Sequence, residues 1–337
     1  MKIHEKYISR CIELAKNGLG STYPNPLVGS VIVHNNQIIG EGWHRKSGEP
    51  HAEVNAINSV KNKDLLKEST IYVSLEPCSH FGKTPPCADL IISHQIPNVV
   101  IGTIDPFAKV CGQGISKLKA ASCTVTVGIL EEECNELNKR FFTFHQKKRP
   151  YIILKWAQTA DGYIAPDASK RTNQKPVWIT NSYSRQLTHK WRSEEQAILV
   201  GTQTVLDDNP KLDVRDWTGS NPVRIVLDKN NKISKENLIF DTSAPTLLLN
   251  EEVIDFKNNT VKEIVNIAFK NNLQSIIIEG GSKTLQHFID NYLWDEARVF
   301  SSDINFSGGT SAPLITGKIV DKKRIVNDEL IIFSNYD

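Results

Sequence analysis

The sequence predicts two consecutive α/β domains, and three observations support this fold class. The chain has 337 residues, which suits two ordinary domains better than one. In both halves, short apolar runs typical of buried strands alternate with segments of helical periodicity. All six cysteines, at positions 11, 78, 87, 111, 123 and 134, lie in the first half, so the halves differ in kind. We place the boundary in the polar stretch "QKKRP", which gives domains 1–147 and 148–337.

The first half contains the elements of one sheet covered by helices. "EKYISRCIELAKNG" predicts an amphipathic helix with Gly18 as its C-cap. "YPNPLVGSVIVHNNQIIGEGW" predicts a loop and then a hairpin that turns at "HNNQ". Helical and buried-strand patterns then alternate through "HAEVNAINSV", "STIYVSLEP", "PPCADLIISHQI", "NVVIGTID", "GQGISKLKAAS" and "CTVTVGIL". A single long helix, "LEEECNELNKRFFTFHQ", is predicted to end the domain.

The second half restarts with a predicted strand, "YIILKWAQT", and the alternation resumes. A helix is predicted over "WITNSYSRQLTHKWRSE". The segments "QAILVGTQTVLDD", "PVRIVLD", "TLLLN", "QSIIIEGG" and "SKTLQHFIDN" follow, with another helix between the third and the fourth. A β-rich tail ends the chain, so this half is again α/β.

Composition and charge limit which partners and which cell compartment are expected for this protein. A formal net charge of +2 provides no large basic face, so no nucleic-acid partner is expected. The longest apolar runs are too short to span a bilayer, and no membrane partner is expected. The polar start "MKIHEKYISR" lacks the apolar core of a signal peptide, which predicts a cytoplasmic protein with reduced thiols. Six reduced cysteines argue against a disulfide framework.

The stretch "EPCSHFGKTPPC", together with "HAE" upstream, predicts a metal site. His51, Cys78 and Cys87 supply one imidazole and two thiols, and three protein ligands are typical of a catalytic zinc. If His51 opens a helix, Glu53 can reach the same pocket and carry a proton from water that zinc acidifies. H-x-E followed by P-C-x-x-C is the signature of zinc deaminases, although here eight residues rather than two lie between the cysteines.

Plainer interpretations of these residues remain open at this point. Two cysteines on unrelated elements can simply be buried, and a single histidine is commonly a core or capping residue. The conjunction of H-x-E at the start of one helix and P-C…C at the start of the next favours zinc. The remaining four cysteines lack such neighbours, and we interpret them as small apolar residues.

Longer motifs carry a family resemblance over nearly all of residues 1–335. "PNPLVGSVIV", "GEGWHRKSGEPHAEVNAI" and "LEPCSHFGKTPPCADLI" resemble the riboflavin-pathway pyrimidine deaminases, in which the long insertion between the cysteines is the rule. "LKWAQTADGYIA", "WITN", "AILVGTQTVLDDNPKLDVR", "NPVRIVLD" and "IIIEGG" resemble the partner reductase. The whole chain is similar to the bifunctional diaminohydroxyphosphoribosylaminopyrimidine deaminase / 5-amino-6-(5-phosphoribosylamino)uracil reductase family. The resemblance implies a cytidine-deaminase-like three-layer α/β/α domain followed by a dihydrofolate-reductase-like α/β domain.

For the first half, the resemblance implies hydrolytic loss of ammonia from a diaminopyrimidinone that carries a ribose phosphate. One zinc ion per chain is implied, held by His51, Cys78 and Cys87. Glu53 would carry protons. The matched positions that look substrate-facing are Asn25, His44, His80 and Lys83. An amide can read both donors and acceptors of a pyrimidine edge, whereas a solvated loop residue is the plainer interpretation for each of the four.

For the second half, the resemblance implies reduction of the ribosyl group to ribityl by NADPH. Lys155 and Glu279 are the catalytic candidates for polarising or protonating the sugar, and a structural ion pair between them is the alternative. The matched cofactor-facing positions are Ala157, Trp178, Thr204, Asp208, Gly281, Ser282, Lys283 and Thr284. The matched substrate-facing positions are Arg192, Leu212, Arg215 and Glu279, of which the two arginines suit a phosphate. No G-x-G-x-x-G follows the first strand of this half, which agrees with a fold other than Rossmann.

The sequence departs from the family pattern at three positions. Gln158 and Ala160 stand where relatives often have serine and leucine. Pro176 stands where relatives commonly place a serine, two residues before Trp178. Proline offers neither a hydroxyl nor a backbone N–H, which puts one substrate contact in doubt.

We consider three hypotheses for the function, each from a different class of protein. The first is the bifunctional riboflavin-biosynthesis enzyme, a hydrolase and NADP-dependent oxidoreductase that acts on a small molecule and forms a homo-oligomer, dimer or tetramer. The second is a zinc deaminase of tRNA or nucleobases with an accessory domain; the second half of the chain, the near-neutral charge and the cysteine spacing count against it. The third is a binding protein in which one half has lost its chemistry, and the retained Glu53 and ligand set count against that.

Overall fold

The protein folds as two compact units, Met1–Lys148 and Arg149–Asp337. The computed structural model describes residues 2–79, 85–106, 112–171 and 173–335. Each unit has its own large sheet and its own apolar cores. The predicted α/β class is confirmed in both.

A five-stranded sheet forms the centre of the N-terminal unit. Its helices are α1 (Lys2–Lys16), α2 (Ala52–Ser59), α3 (Cys87–Ser93), α4 (Gln113–Ala120), α5 (Glu131–Leu137) and α6 (Lys139–Phe142), with a 3-10 turn at Lys63–Glu68 and a π-helical turn at Thr143–Lys147. Its strands are β1 (Gly29–His34), β2 (Gln37–Trp43), β3 (Thr70–Leu75), β4 (Asn98–Thr103) and β5 (Thr124–Val127). The strand order is β2-β1-β3-β4-β5; β1 is antiparallel to β2 and β3, and β3, β4 and β5 are parallel.

The strands of this sheet are covered on both faces, and their side chains alternate between two cores. Ile71 and Val73 of β3 lie in the core formed with α2, α3 and α4, whereas Tyr72 lies in the core formed with α1 and α5. This period of two is the geometry of a strand buried on both sides. The predicted three-layer α/β/α arrangement is confirmed.

The β1–β2 hairpin turns as predicted and lies directly under α2. Asn35 and Asn36 have φ angles of 49° and 60°, which suit a two-residue type I′ turn. A Cβ on Gly40 would lie 2.6 Å from the carbonyl oxygen of Ala56. A Cβ on Gly42 would lie 2.4 Å from the backbone nitrogen of Ala56. The helix therefore packs on bare strand backbone, and only glycine leaves room for it.

Two predictions about the helices of this unit are wrong. Helix α1 ends at Lys16, and Gly18 is not a left-handed C-cap; a Cβ on it would lie 2.6 Å from the carbonyl oxygen of His44, so close packing explains the glycine. The predicted single helix at the end of the unit is interrupted at Asn138. The Asn138 side chain bonds to the backbone of Leu27, a residue that is far away in sequence.

An eight-stranded sheet forms the centre of the C-terminal unit. Its helices are α7 (Ser182–Glu194), α8 (Thr202–Asp208), α9 (Thr260–Lys270) and α10 (Ser282–Asp290), with 3-10 turns at Ala168–Lys170 and Leu238–Phe240. Its strands are β6 (Tyr151–Gln158), β7 (Tyr163–Pro166), β8 (Ala197–Gly201), β9 (Val223–Leu227), β10 (Thr246–Leu249), β11 (Ser275–Gly280), β12 (Glu296–Ser301), β13 (Gly309–Ser311), β14 (Lys318–Ile325) and β15 (Asp328–Ser334). β7 and β13 pair with each other as a separate antiparallel ribbon.

The strand order of the large sheet is β10-β9-β8-β11-β6-β12-β15-β14. The first six strands are parallel, and β15 is antiparallel to both of its neighbours. One core packs α9 and α10 against the sheet, and a second packs α7 and α8 against it. Within the described residues, no helix is both long enough and apolar enough to cross a bilayer.

Helix α7 begins later than the sequence pattern predicts. Asn181 caps it, since its Oδ1 accepts the backbone N–H groups of Tyr183 at 2.9 Å and Ser184 at 3.1 Å. The preceding residues of "WITN", including Trp178, therefore lie outside the helix. The predicted helix therefore starts about four residues before the real one, because periodicity alone does not mark the residue that caps a helix.

We expect each unit to fold when expressed alone, because each buries its own apolar cores. A fragment of residues 1–148 should show a cooperative thermal transition and a native near-UV circular dichroism spectrum. A fragment that ends at Leu137 is the control; it lacks both Asn138 bonds and buried Phe141, so its Tm should be lower by roughly 10 °C. Gradual, non-cooperative unfolding of the longer fragment would contradict independent folding.

Candidate active sites

Three metal-binding side chains of the N-terminal unit meet where two helices begin. His51 is the N-cap residue of α2, with φ and ψ of −70° and 167°. Cys87 is the first residue of α3, and Cys78 lies in the chain that follows β3. The N-terminal end of a helix carries partial positive charge, which stabilises a thiolate placed there.

The spacing of these atoms fits a tetrahedral zinc ion. Nδ1 of His51 lies 3.6 Å from Sγ of Cys78 and 3.4 Å from Sγ of Cys87, and all three atoms lie within 4.8 Å of one another. Zinc bound at usual Zn–S and Zn–N distances in tetrahedral geometry separates sulfur from nitrogen by roughly 3.6 Å. Among the described residues, this is the one group of histidine, cysteine or carboxylate side chains with such spacing. The predicted ligands are therefore brought together.

The two thiols are electrostatically unequal. A hydrogen bond from the Cys87 thiol lowers the pKa of Cys78 to about 4; burial opposes this shift, and a hydrogen bond with His51 supports it. The backbone N–H of Cys87 also donates to Cys78 Sγ at 3.3 Å. The same shared proton raises the pKa of Cys87. The pair already favours one thiolate, which is the form that binds a metal.

Glu53 lies in the first turn of α2, close to the ligands. Only 3% of its surface is exposed. Burial raises the pKa of its carboxyl group, and the neighbouring negative charge of Cys78 raises it further. A carboxyl group in this environment can hold a proton closer to neutral pH than an exposed glutamate can, which suits a proton carrier.

His44 and Asn25 form a polar pair beside the metal ligands. The buried ring of His44 contacts the ring of His51 edge-on, with centroids 5.3 Å apart. Its Nδ1 lies 3.2 Å from the carbonyl oxygen of Pro50, which can only accept, so Nδ1 carries the proton. Nε2 then accepts the Asn25 amide N–H at 3.0 Å. Burial lowers the pKa of His44, which favours this neutral ring.

The other two predicted substrate contacts of this unit, His80 and Lys83, lie outside the described residues. So does Cys111. The other described cysteines, which are predicted to be small apolar residues, are free thiols: Cys11 and Cys134 are buried, and Cys123 is partly buried.

Glu76, which no sequence motif indicated, anchors the chain just before Cys78. Its buried carboxylate accepts the backbone N–H groups of Gly112 at 3.0 Å, Gly114 at 2.9 Å and Ile115 at 3.2 Å. The end of β3 is thereby tied to the start of α4. A carboxylate directly after a buried strand is the signal that could have indicated it, because the free N–H groups of a helix start attract negative charge.

In the C-terminal unit, Glu279 of β11 is paired with Arg192 of α7. The guanidinium donates through Nε at 2.8 Å and Nη2 at 2.7 Å to the two carboxylate oxygens. Burial alone would raise the pKa of Glu279, but the charges of Arg192 and Lys155 outweigh it and hold that pKa at about 2. Glu279 therefore stays ionised across the neutral range.

Lys155 of β6 lies near this pair but is not bonded to it. Within the described part of the chain, its ammonium has no hydrogen-bond or ion-pair partner, and it sits 5.8 Å from the centre of the Phe300 ring. Burial lowers the pKa of Lys155, Arg192 lowers it too, and Glu279 partly opposes them. The alternative of a structural Lys155–Glu279 ion pair is wrong, since Glu279 is paired with Arg192 instead.

The predicted substrate-facing segment at Leu212 and Arg215 is joined to the same cluster. Nη1 of Arg192 donates to the carbonyl oxygen of Asp213 at 3.2 Å, and Nδ1 of His189 bonds to that oxygen at 3.0 Å. Arg215 donates to Asp213 Oδ1 at 2.7 Å and keeps 46% of its side chain exposed. Leu212 is buried with a φ of 53°.

His189 is therefore a second residue of the site that no sequence motif indicated. It precedes Arg192 by three positions on α7, so both side chains lie on one face of the helix. That spacing is the signal that could have indicated it.

Part of the predicted cofactor site is assembled at the start of α10. The first backbone bond within that helix runs from Leu285 N–H to Gly281, so the N–H groups of Ser282, Lys283 and Thr284 precede it. A Cβ on Gly281 would lie 3.6 Å from Oγ1 of Thr204. Oγ1 of Thr284 packs against Gly201 at the end of the neighbouring strand β8.

Three other predicted cofactor positions, Trp178, Asp208 and Ala157, have no hydrogen bond, ion pair or ring contact of their own with the start of α10 among the described residues. Trp178 is 53% exposed and stacks on the guanidinium of Arg185 at 4.8 Å. Asp208 forms an ion pair with Arg171 at 2.5 Å. Ala157 is half-buried near the end of β6.

Comparison with known proteins agrees with both geometries. The family model of the cytidine and deoxycytidylate deaminase zinc-binding region matches residues 1–103. The model of the RibD C-terminal domain matches residues 150–331.

Relatives match nearly the whole chain. The riboflavin biosynthesis protein RibD of Aquifex aeolicus is 37% identical over 98% of this chain and 98% of its own. RibD of Bacillus amyloliquefaciens is 37% identical over 94% and 89%. The crystal structure of a diaminohydroxyphosphoribosylaminopyrimidine deaminase / 5-amino-6-(5-phosphoribosylamino)uracil reductase from Thermotoga maritima matches with a TM-score of 0.90, at 37% identity over 99% of both chains. Acinetobacter baumannii RibD matches with a TM-score of 0.87, at 29% identity over 100% and 99%.

These matches confirm the predicted fold class, the enzyme class and the two cofactors, zinc and NADPH. The alternative of a tRNA or nucleobase deaminase with an accessory domain is wrong, because residues 150–331 match the RibD reductase domain. The chain belongs to the RibD family of riboflavin-biosynthesis proteins and is a bifunctional enzyme with a zinc-dependent deaminase unit and an NADPH-dependent reductase unit.

Proposed function

We propose that the N-terminal unit deaminates 2,5-diamino-6-(5-phosphoribosylamino)pyrimidin-4-one by hydrolysis. The C-terminal unit then reduces the ribosyl group with NADPH to give 5-amino-6-(5-phosphoribitylamino)uracil. The observation that carries the proposal is the cluster of His51, Cys78 and Cys87 with the buried carboxyl of Glu53 beside it. The deaminase and reductase activity of the Thermotoga maritima relative supports the choice of substrate.

In the deaminase, the zinc ligands and Glu53 have different roles, which we assign from the protonation state of each side chain. His51, Cys78 and Cys87 would hold zinc, which when bound lowers the pKa of water toward neutrality. Glu53 takes a proton from the attacking water and returns it to the departing amine, which leaves as ammonia. Its burial raises the pKa of the carboxyl, so it can hold the proton between the two steps.

Asn25 is oriented to read the pyrimidine. One of its amide N–H groups is used by His44 Nε2, so the other N–H and the amide oxygen remain for the substrate. His44 is fixed in turn by the carbonyl of Pro50. This pair can recognise an edge that offers both a donor and an acceptor. His80 and Lys83 stay proposed substrate contacts on the resemblance alone.

In the reductase, Lys155 is the better candidate for the acid. NADPH supplies the hydride when bound. Reduction opens the ribose ring, so the ring oxygen needs a proton, and Lys155 Nζ can supply it because its pKa is lowered by burial. Glu279 cannot, since Arg192 and Lys155 keep it ionised. We assign Glu279 the role of an acceptor that orients the substrate.

The phosphate groups have separate candidate binders. The backbone N–H groups at the start of α10, with Ser282 and Thr284, suit a phosphate of the cofactor. Lys283, Thr204, Ala157, Trp178 and Asp208 remain proposed cofactor contacts. Three donors of Arg192 are already used by Glu279 and Asp213, so the exposed Arg215 is the stronger candidate for the substrate phosphate. Leu212 would pack against the substrate.

We also propose that the enzyme is a cytoplasmic homo-oligomer, dimer or tetramer. The five cysteines in the described residues are free thiols, which suits a reducing compartment. Among the described residues, strand β14 pairs with β15 alone, and it leaves Ile319 and Val320 each 54% exposed at the edge of the sheet. An apolar edge strand of this kind favours pairing with another chain.

We expect one zinc ion per chain, held by the two ligand cysteines. Cys78→Ser or Cys87→Ser should lose the metal, because each removes one of only three protein ligands. Cys123→Ser is the matched control, since Cys123 lies outside the cluster and should leave the zinc content unchanged. Metal analysis of the purified variants decides the matter. Stoichiometric zinc in a Cys78/Cys87 double variant would rule out the assignment.

Glu53→Gln tests the function and the proton carrier in one experiment. Glutamine keeps the size of the side chain but cannot carry the proton, so zinc should remain and deamination should fall by roughly two to four orders of magnitude. Wild type and variant are incubated with the phosphoribosyl diaminopyrimidinone, with and without NADPH, and the products are identified by mass. The variant should still oxidise NADPH when it is given the deaminated uracil substrate. Near-normal deamination by the variant, or no deaminated product from wild type, would contradict the proposal.

Lys155 should set the basic limb of the reductase pH profile. A proton donor works in its protonated form, so activity should fall as pH rises through a pKa below the ordinary 10.5 of lysine. Glu279→Gln removes a charge that raises this pKa, and the limb should move to lower pH. Lys155→Ala should impair NADPH oxidation and leave ammonia release intact. The measurement is the rate of NADPH oxidation against pH; an unmoved limb in Glu279→Gln would refute the role of Lys155.

A further inference from the structure

We propose that Asn138 is a positioning residue of the deaminase, and that it acts by holding Asn25 in place. Asn138 is 2% exposed and lies far from Asn25 in sequence. The inference rests on the proposed role of Asn25 in reading the substrate, and it assigns a function to the interruption between α5 and α6.

Asn138 binds one backbone segment with both ends of its amide. Its Oδ1 accepts the N–H of Leu27 at 2.8 Å, and its Nδ2 donates to the carbonyl oxygen of Leu27 at 2.9 Å. Asn138 is 2% exposed and Leu27 is 8% exposed, so water cannot easily replace these bonds. Two bonds to one residue fix both the position and the direction of the chain at Leu27.

The chain between Leu27 and Asn25 transmits this position. Asn25 is flanked by Pro24 and Pro26, whose rings fix φ and also restrict the residue before each proline. The backbone N–H of Asn25 is bonded to the carbonyl oxygen of Thr22 at 2.8 Å. A displacement of Leu27 therefore moves Asn25, because few torsions lie between them that can absorb it.

The same anchor reaches the partner of Asn25. Val28 follows Leu27, and its carbonyl oxygen accepts the backbone N–H of His44 at 2.9 Å. Asn25 and His44 are themselves joined by the 3.0 Å side-chain hydrogen bond. Asn138 thus fixes the backbone from which both members of the polar pair are placed.

The local structure at Asn138 agrees with this role. Helix α5 ends at Leu137 and α6 begins at Lys139, and Asn138 between them has φ and ψ of −104° and 17°. The pattern "LEEECNELNKRFFTFHQ" predicts an unbroken helix. An asparagine side chain that bonds to distant backbone instead marks the point where the helix is interrupted.

The test is a double-mutant cycle on the full-length enzyme, with ammonia release from the phosphoribosyl diaminopyrimidinone as the readout. Asn138→Ala should lower kcat/KM of deamination by roughly 10- to 100-fold, since a small misplacement of a positioning group is enough for such a loss. The zinc content and NADPH oxidation of the deaminated substrate should stay unchanged. In an Asn25→Ala background, the same change should cost less than about twofold, because its target is already gone.

Two further variants complete the design. Asn138→Asp keeps an acceptor for the Leu27 N–H but loses the donor, so it should show a smaller loss, and it replaces the alanine variant in the cycle if that variant does not fold. Asn135→Ala is the matched control: Asn135 lies one turn earlier on α5 and accepts a hydrogen bond from Thr103 at 2.8 Å, away from the Leu27 segment. Its losses should be equal in both backgrounds.

Each result supports or overturns the inference. Equal fold-losses for Asn138→Ala in the wild-type and Asn25→Ala backgrounds would overturn it, and so would loss of zinc or of reductase activity. An effect of Asn25→Ala without any effect of Asn138→Ala overturns the inference but keeps the proposed role of Asn25. No effect of Asn25→Ala overturns that role and the inference with it.

Discussion

The close approach of one imidazole nitrogen and two sulfurs is the interaction on which the N-terminal unit depends. Three electron-rich atoms within 4.8 Å of one another, largely shielded from water, are stable together when a cation lies between them. The surrounding elements are arranged to bring them there: α2 and α3 both start at this point, and Glu76 ties the strand before Cys78 to α4. Metal binding and folding of this region are therefore linked.

The C-terminal unit holds three charged groups, Arg192, Glu279 and Lys155, in one buried cluster. It combines a buried carboxylate that stays ionised with a nearby buried ammonium whose pKa is lowered. The bidentate bond from Arg192 and the charge of Lys155 together hold the pKa of Glu279 at about 2. Because that bond occupies the carboxylate, Lys155 remains without a bonded partner among the described residues, and burial lowers its pKa. The Arg192–Glu279 ion pair thus keeps Glu279 ionised, whereas Lys155 stays outside the pair with a lowered pKa.

The chemistry was predictable from sequence where it depends on neighbours along the chain. His51, Glu53 and Cys87 lie at helix starts that local patterns reveal, and Cys78 follows a strand that its apolar run reveals. What could not be predicted depends on contacts between distant segments. The pairing of Glu279 with Arg192 rather than with Lys155 needs the positions of α7 and β11, and the interruption at Asn138 needs Leu27. Helical periodicity continues through Asn138 and starts too early before Asn181, because it contains no information about which backbone groups a polar side chain will meet.

The glycines under α2 have a consequence for how this family can change over evolutionary time. Most helices meet a sheet through a layer of side chains, and that layer can be repacked by compensating substitutions. At Gly42 the nearest helix atoms are all backbone, and at Gly40 the carbonyl oxygen of Ala56 lies nearly as close as the Val60 side chain, so repacking of side chains alone cannot accommodate a larger residue. The position of α2, which carries Glu53, is therefore fixed relative to the β1–β2 hairpin. Gly40 and Gly42 have no proposed chemical role, yet a mutational survey of the hairpin would show them as highly sensitive, because a larger side chain at either position displaces the helix that carries Glu53.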